Sequence, residues 1–208
     1  MKGPDADHAV RELHPEPPAR VVRGRNLAGL VREMLHLLGE DPDRPGLERT
    51  PERVAESLSY LTEGYAATPA DVVGDAVFDE PADGPIVIRD IEFYSICEHH
   101  LLPFFGKVHV TYEPRGRIIG LSKVPRLVDL FAHRLQLQER LTAQVADALV
   151  EVVAPAGAGV IIEASHLCVM MRGVEKHRSA TVTSAARGVL AADAARREAF
   201  ERAVFRTG

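Results

Sequence analysis

The sequence predicts an α+β domain with a mostly antiparallel sheet, preceded by a pair of helices. Three observations carry this. Apolar residues recur at helical spacing over residues 26–64, β-branched runs begin at Ile86, and two helical segments sit between strand pairs.

From Asn26 the apolar set Leu27, Leu30, Val31, Met34, Leu35 and Leu38 repeats every three or four residues. It stops at Gly39, which can end a helix in left-handed backbone without strain. A second helix is expected from Thr50, with Thr50 as its cap and Pro51 first, where proline's missing N–H costs nothing. Val54, Leu58 and Leu61 form its buried stripe, and Gly64 ends it.

Residues 66–85, broken by Pro, Gly and Asp, read as a connector. The strand over 86–93 then delivers the chain to Cys97. Val108, Val110 and Tyr112 alternate before Pro-Arg-Gly-Arg, and Ile118 and Ile119 resume the pattern, which reads as a hairpin. Two helical segments follow: 122–134 with Leu127, Val128 and Phe131 on one side, and 136–153 with Leu137, Leu141, Val145, Leu149 and Val152. Pro155 and Gly157 close the second. Strands are expected over 160–164, 166–172 and 179–184, then a last helix anchored by Phe200 and Val204. Residues 1–25, rich in Pro, Arg, Glu and Asp without periodicity, read as a flexible tail. That leaves 26–208 as one domain: N-terminal helices over 26–65 and a core over 86–208.

The formal net charge of −5 and the lack of Lys/Arg runs exclude a general nucleic-acid or membrane surface, which needs clustered positive charge. No stretch reaches the roughly 20 apolar residues of a membrane span, and the N-terminus lacks the apolar run of a secretion signal. A cytoplasmic location is expected. There Cys97 and Cys168, the two cysteines of the chain, are thiols available for metal binding, catalysis or core packing.

In Cys97-Glu98-His99-His100 a thiol and an imidazole stand three residues apart, so one helical turn points both at a single ion and leaves His99 free. Read as a strand, residues 166–172 put His166, Cys168, Met170 and Arg172 on one face and Leu167, Val169 and Met171 on the other. Cys168 would complete a Cys₂His set with one coordination position open, the arrangement of a catalytic zinc site.

Four motifs in this order resemble GTP cyclohydrolase I: Cys97-Glu98-His99-His100, Gly120-Leu121-Ser122-Lys123, Gln136-Leu137-Gln138-Glu139-Arg140-Leu141-Thr142, and His166-Leu167-Cys168-Val169-Met170-Met171-Arg172-Gly173. The resemblance runs from about residue 26 to the C-terminus. It implies a tunnelling fold, with two helices packed on an antiparallel sheet, assembled as a homodecamer with active sites at subunit interfaces. It also implies one zinc per subunit, held by Cys97, His100 and Cys168. Glu139 resembles the carboxylate that anchors guanine, with help from Gln138. Guanine's N1–H and 2-amino group suit a bidentate carboxylate, and adenine presents a different edge. Ser122, Lys123, Arg126 and Arg172, together with Arg53, match positions that hold the triphosphate, which an acidic protein must receive in a local cationic pocket.

By the same resemblance, zinc activates water for attack on guanine C8, His166 is the main proton-transfer group and His99 assists. Formate leaves, and the ribose rearranges to give dihydroneopterin triphosphate. Lys176-His177-Arg178-Ser179 departs from the family's Lys-x-Asn-Ser, with Arg178 in place of asparagine. Two rivals exist. Nitrile reductases acting on deazapurines share a purine-anchoring Glu but lack the Cys-Glu-His-His pattern. A zinc-stabilised binding module without turnover would have no use for both His99 and His166.

Overall fold

The computed structural model describes residues 26–205, so the tail expected over 1–25 lies outside the described residues. Helix α1 (Leu27–Leu37) is capped by the Asn26 carboxamide, which accepts from the Gly29 N–H at 2.6 Å, and Gly39 past its end has φ +85°. Helix α2 (Thr50–Leu61) packs on α1. Its cap position falls on Arg49, and the Thr50 hydroxyl instead donates to the Gly46 carbonyl at 3.4 Å. Gly64 plays a different part from the expected helix stop. It is buried in a 3₁₀ turn (Glu63–Ala66), where a Cβ would stand 2.1 Å from the Leu130 carbonyl oxygen. The glycine is there for close backbone approach, and the Gly64 N–H donates to the His133 carbonyl at 3.0 Å.

The expected connector is partly ordered into α3 (Pro69–Val73) and β1 (Val77–Asp79). Thr68 and Asp71 form a reciprocal capping box at the start of α3, a signal legible in the sequence as Thr-Pro-Ala-Asp. Next come β2 (Ile86–Cys97), β3 (Pro103–Glu113) and β4 (Arg117–Ile119). The expected hairpin does not form, because β4 pairs with β1 in a separate two-stranded sheet. The Tyr112 hydroxyl still ties the two segments together, accepting from the Ile119 N–H at 3.3 Å.

The remaining elements are α4 (Lys123–Ala132), β5 (Leu135–Gln136), α5 (Gln138–Val153), β6 (Gly157–His166), α6 (Leu167–Met170), β7 (Thr181–Gly188), α7 (Val189–Ala192) and α8 (Ala194–Phe205). Helix α5 is closed by Ala154 in left-handed backbone (φ 52°), ahead of the expected Pro155 and Gly157. The strand expected over 166–172 is overturned: β6 stops at His166, and Cys168 lies in the turn of α6. The alternating face of His166, Cys168, Met170 and Arg172 therefore does not exist. His166 is the last residue of the strand, paired with Phe104, whereas Cys168, Met170 and Arg172 lie past its end.

The main sheet has the order β5-β2-β3-β6-β7, antiparallel throughout except for the parallel β2/β5 contact. Helices α4 and α5 cover one face and contribute Leu127, Val128, Phe131, Leu141, Val145 and Leu149, all at most 1% exposed. They pack on inward strand residues such as Phe93, Val108, Val110, Val160 and Ile162, so one contiguous apolar core joins sheet and helix pair. This is the α+β arrangement expected from the order of elements.

Candidate active site

Strands β2 and β6 both run antiparallel to β3, so their C-terminal ends emerge at the same edge of the sheet. Phe104, near the start of β3, pairs with Ser95 on one side and His166 on the other. The residues that follow each strand are thereby brought together: Cys97 closes β2, and Cys168 comes two residues after β6 ends.

The turn after Cys97 is fixed by backbone bonds. The His100 and Leu101 N–H groups both donate to the Cys97 carbonyl, at 3.3 and 2.9 Å, and Leu101 takes φ 53°. Ligand atoms of Cys97, His100 and Cys168 all lie within 4.8 Å of one another, with Cys97 Sγ 4.0 Å from His100 Nδ1. At ordinary zinc–sulfur and zinc–nitrogen bond lengths a tetrahedral edge is about 3.6 Å, so small side-chain movements close the set on one ion. Two thiols and an imidazole are soft and intermediate donors, and the residues fit zinc. Burial raises the Cys168 thiol pKa, and the neighbouring Cys97 raises it further. Held this close to a second sulfur without a cation, the Cys168 thiol favours its proton, and a divalent ion reverses that preference.

Beside the cluster, His166 lies flat on Phe104, with ring centroids 4.7 Å apart and planes 3° from parallel. Its Nε2 is 2.7 Å from the Gln138 side-chain oxygen. Burial lowers the His166 pKa, and the nearby Glu139 carboxylate opposes that shift. Glu139 is exposed in the first turn of α5. Gln138 is 2% exposed, and its side-chain N–H₂ donates to the Ile162 carbonyl, the Thr181 carbonyl and the Thr183 hydroxyl at 2.9–3.1 Å. Its amide is committed to the protein. His99 is exposed, its ring 6.1 Å from that of His100.

The triphosphate residues expected from sequence are less concentrated. Ser122 and Lys123 stand at the N-terminus of α4, with the Lys123 ammonium donating to the Val72 carbonyl at 2.9 Å. Arg126, one turn on, lines with Lys123 a cavity of about 620 Å³ between α4 and the 3₁₀ turn. Arg172 reaches back to the Cys168 carbonyl at 3.4 Å. Arg53 lies on α2, which packs chiefly on α1 rather than on the cluster.

Sequence reasoning missed an ion pair that holds the site. Arg140, in the first turn of α5, grips both carboxylate oxygens of Glu98 at 2.6 and 3.1 Å. The Arg140 hydrogen bonds hold the Glu98 carboxyl below its usual range, and Glu98 in turn raises Arg140. Together with the Glu98 N–H donating to the Gln136 carbonyl at 3.1 Å, this fixes the Cys97–His100 turn against α5. Both residues stand inside motifs visible in the sequence, but nothing local pairs residues 42 apart. Replacing Arg140 by methionine is expected to weaken metal affinity about 10- to 100-fold in chelator competition, with activity recovering at saturating zinc. Unchanged metal affinity would show that the turn is held without this pair.

The model of the family described as GTP cyclohydrolase I matches residues 27–204. Relatives named GTP cyclohydrolase 1 include those of Deinococcus radiodurans, 55% identical over 86% of this chain and 83% of that one, and Campylobacter concisus, 53% identical over 82% and 90%. The Leptospira biflexa relative is 51% identical over 84% of this chain and 95% of its own. Among solved structures, an archaeosine synthase QueF-Like in the apo form aligns with a TM-score of 0.44 at 18% identity, over 52% of this chain and 97% of that one.

Proposed function

The chain belongs to the GTP cyclohydrolase I family, and on that premise we propose that Cys97, His100 and Cys168 hold its catalytic metal, one zinc ion per subunit. The protein is an enzyme of the α+β tunnelling-fold type that hydrolyses GTP with opening of the imidazole ring. Formate is released and the nucleotide is rearranged to 7,8-dihydroneopterin triphosphate, in service of pterin and folate biosynthesis. The observation that carries the metal assignment is the convergence of two sulfurs and one imidazole within 4.8 Å at the end of two adjacent strands.

Bound there, zinc supplies Lewis acidity and makes water a nucleophile near neutral pH. The chain's own groups do the rest. Glu139, exposed at the mouth of α5 and close to His166, accepts the N1–H and 2-amino hydrogens of guanine and so orients C8 toward the cluster. His166, whose pKa burial lowers, takes and returns the proton, and His99 on the exposed side of the turn assists. Ser122, Lys123, Arg126 and Arg172 receive the phosphates, the first pair from the start of α4.

Arg53 fits this scheme from a second copy of the chain. Exposed apolar side chains on α1, including Leu30, Met34 and Leu37, with Leu38 just past its end and Tyr94 on the sheet, support assembly into a homo-oligomer, a decamer with active sites at its interfaces. Residues 26–208 act as one domain. No described helix is long and apolar enough to cross a membrane, and two free thiols suit a cytoplasmic setting.

The test is incubation of the zinc-loaded protein with GTP, followed by oxidation, with pterin fluorescence and formate measured together. Both products in equal amounts are expected. Tight GTP binding with neither product would favour the binding module.

A further inference from the structure

We propose that Gln138 is a positioning residue for His166, one that fixes which imidazole nitrogen carries the proton, rather than a contact to guanine. The inference rests on His166 acting as the proton-transfer group. It begins with the hydrogen-bond partners of the Gln138 amide. Carbonyl oxygens only accept, so the end of the side chain facing the Ile162 and Thr181 carbonyls must be the N–H₂ group. That leaves the Gln138 oxygen facing His166 Nε2 at 2.7 Å. An amide oxygen can only accept, so Nε2 must be the protonated nitrogen. In the neutral ring the lone pair then resides on Nδ1, the nitrogen turned away from Gln138.

The opposite tautomer would place two lone pairs against each other beside an amide that is 2% exposed, a repulsive contact with no protein donor to offset it. Flipping the amide would instead aim its N–H₂ at the ring and its oxygen at two carbonyls. Both alternatives leave buried polar groups unpaired. Thr183 strengthens the lock: its hydroxyl accepts from Gln138 at 3.1 Å and shares a 2.6 Å bond with the Thr142 hydroxyl, which also lies 2.7 Å from the Gln138 carbonyl. Stacking on Phe104 holds the plane of the ring, so neither its rotation nor its tautomer is free. The sheet and the start of α5 thus present a basic nitrogen in one fixed direction.

A double-mutant cycle separates this role from guanine contact. Gln138→Leu is expected to lower kcat about 10²-fold. GTP affinity, measured by equilibrium binding, should change less than about threefold, and zinc content should remain at one per subunit. In a His166→Ala background the same substitution should add little further loss of kcat, because the group it positions is gone. The milder Thr183→Val, which removes one of three anchors of the amide and leaves the other two, is expected to lower kcat several-fold with unchanged GTP affinity, and covers the case in which Gln138→Leu does not fold.

Weakened GTP binding of tenfold or more with Gln138→Leu in both backgrounds would overturn the proposal in favour of guanine contact. Equal, additive losses of kcat in both backgrounds would also overturn it. A His166→Ala enzyme that turns over normally would instead remove the role of His166, a result distinct from either.

Discussion

Replacement of Cys168 by serine is expected to release zinc and to lower turnover of GTP about 10³-fold or more, the equivalent of several kcal/mol of transition-state stabilisation. Cys168 brings one of two thiolates to the set, from a short helical turn that follows β6 directly. A serine hydroxyl keeps the size and loses the soft, readily ionised donor, leaving one sulfur and one imidazole, a set too weak to hold zinc against the cell's chelators. The fold should survive, since the cluster lies at the edge of a core whose largest buried side chains come from α4, α5 and the strands. The checks are metal content by mass spectrometry and initial rates at saturating GTP. One zinc per subunit together with unchanged turnover in Cys168→Ser would end the metal assignment.

His166→Ala is expected to give the opposite pairing of results. Zinc and GTP should both bind as in the parent enzyme while kcat falls by about 10²- to 10⁴-fold, the range over which a positioned acid or base contributes. The physical basis is the separation of tasks in the structure. His166 stands beside the metal cluster without belonging to it, held by Gln138 and Phe104 on the sheet side. Truncating it removes no donor from the three-residue set. Loss of zinc from His166→Ala would show that the imidazole supports the metal and not proton transfer, and a wild-type kcat would remove it from the mechanism.

Much of the site was legible because its chemistry is packed into short motifs. Cys97 and His100 are close in sequence, so a single turn is enough to bring them together, and spacing alone identifies that pair. Cys168 was reached by a route the structure does not follow. Period-two alternation gave it a strand face, whereas it lies in a helical turn, and it meets Cys97 because two strand ends share an edge. The hairpin after Tyr112 failed for a related reason. The sequence offers two apolar runs flanking a turn, but β1 in the supposed connector competes for β4 and wins.

By itself, then, the sequence determined the long helices, most of the core strands, the candidate donors Cys97, His100 and Cys168, and the family, since periodicity, capping and motif spacing are written in neighbouring residues. Only the tertiary structure decided which strand ends lie side by side, that Arg140 clamps Glu98, and that Gln138 faces His166 with its oxygen. The two side-chain pairings join groups 42 and 28 residues apart, and all three outcomes depend on the sheet and helix pair closing and on buried donors and acceptors finding partners at once.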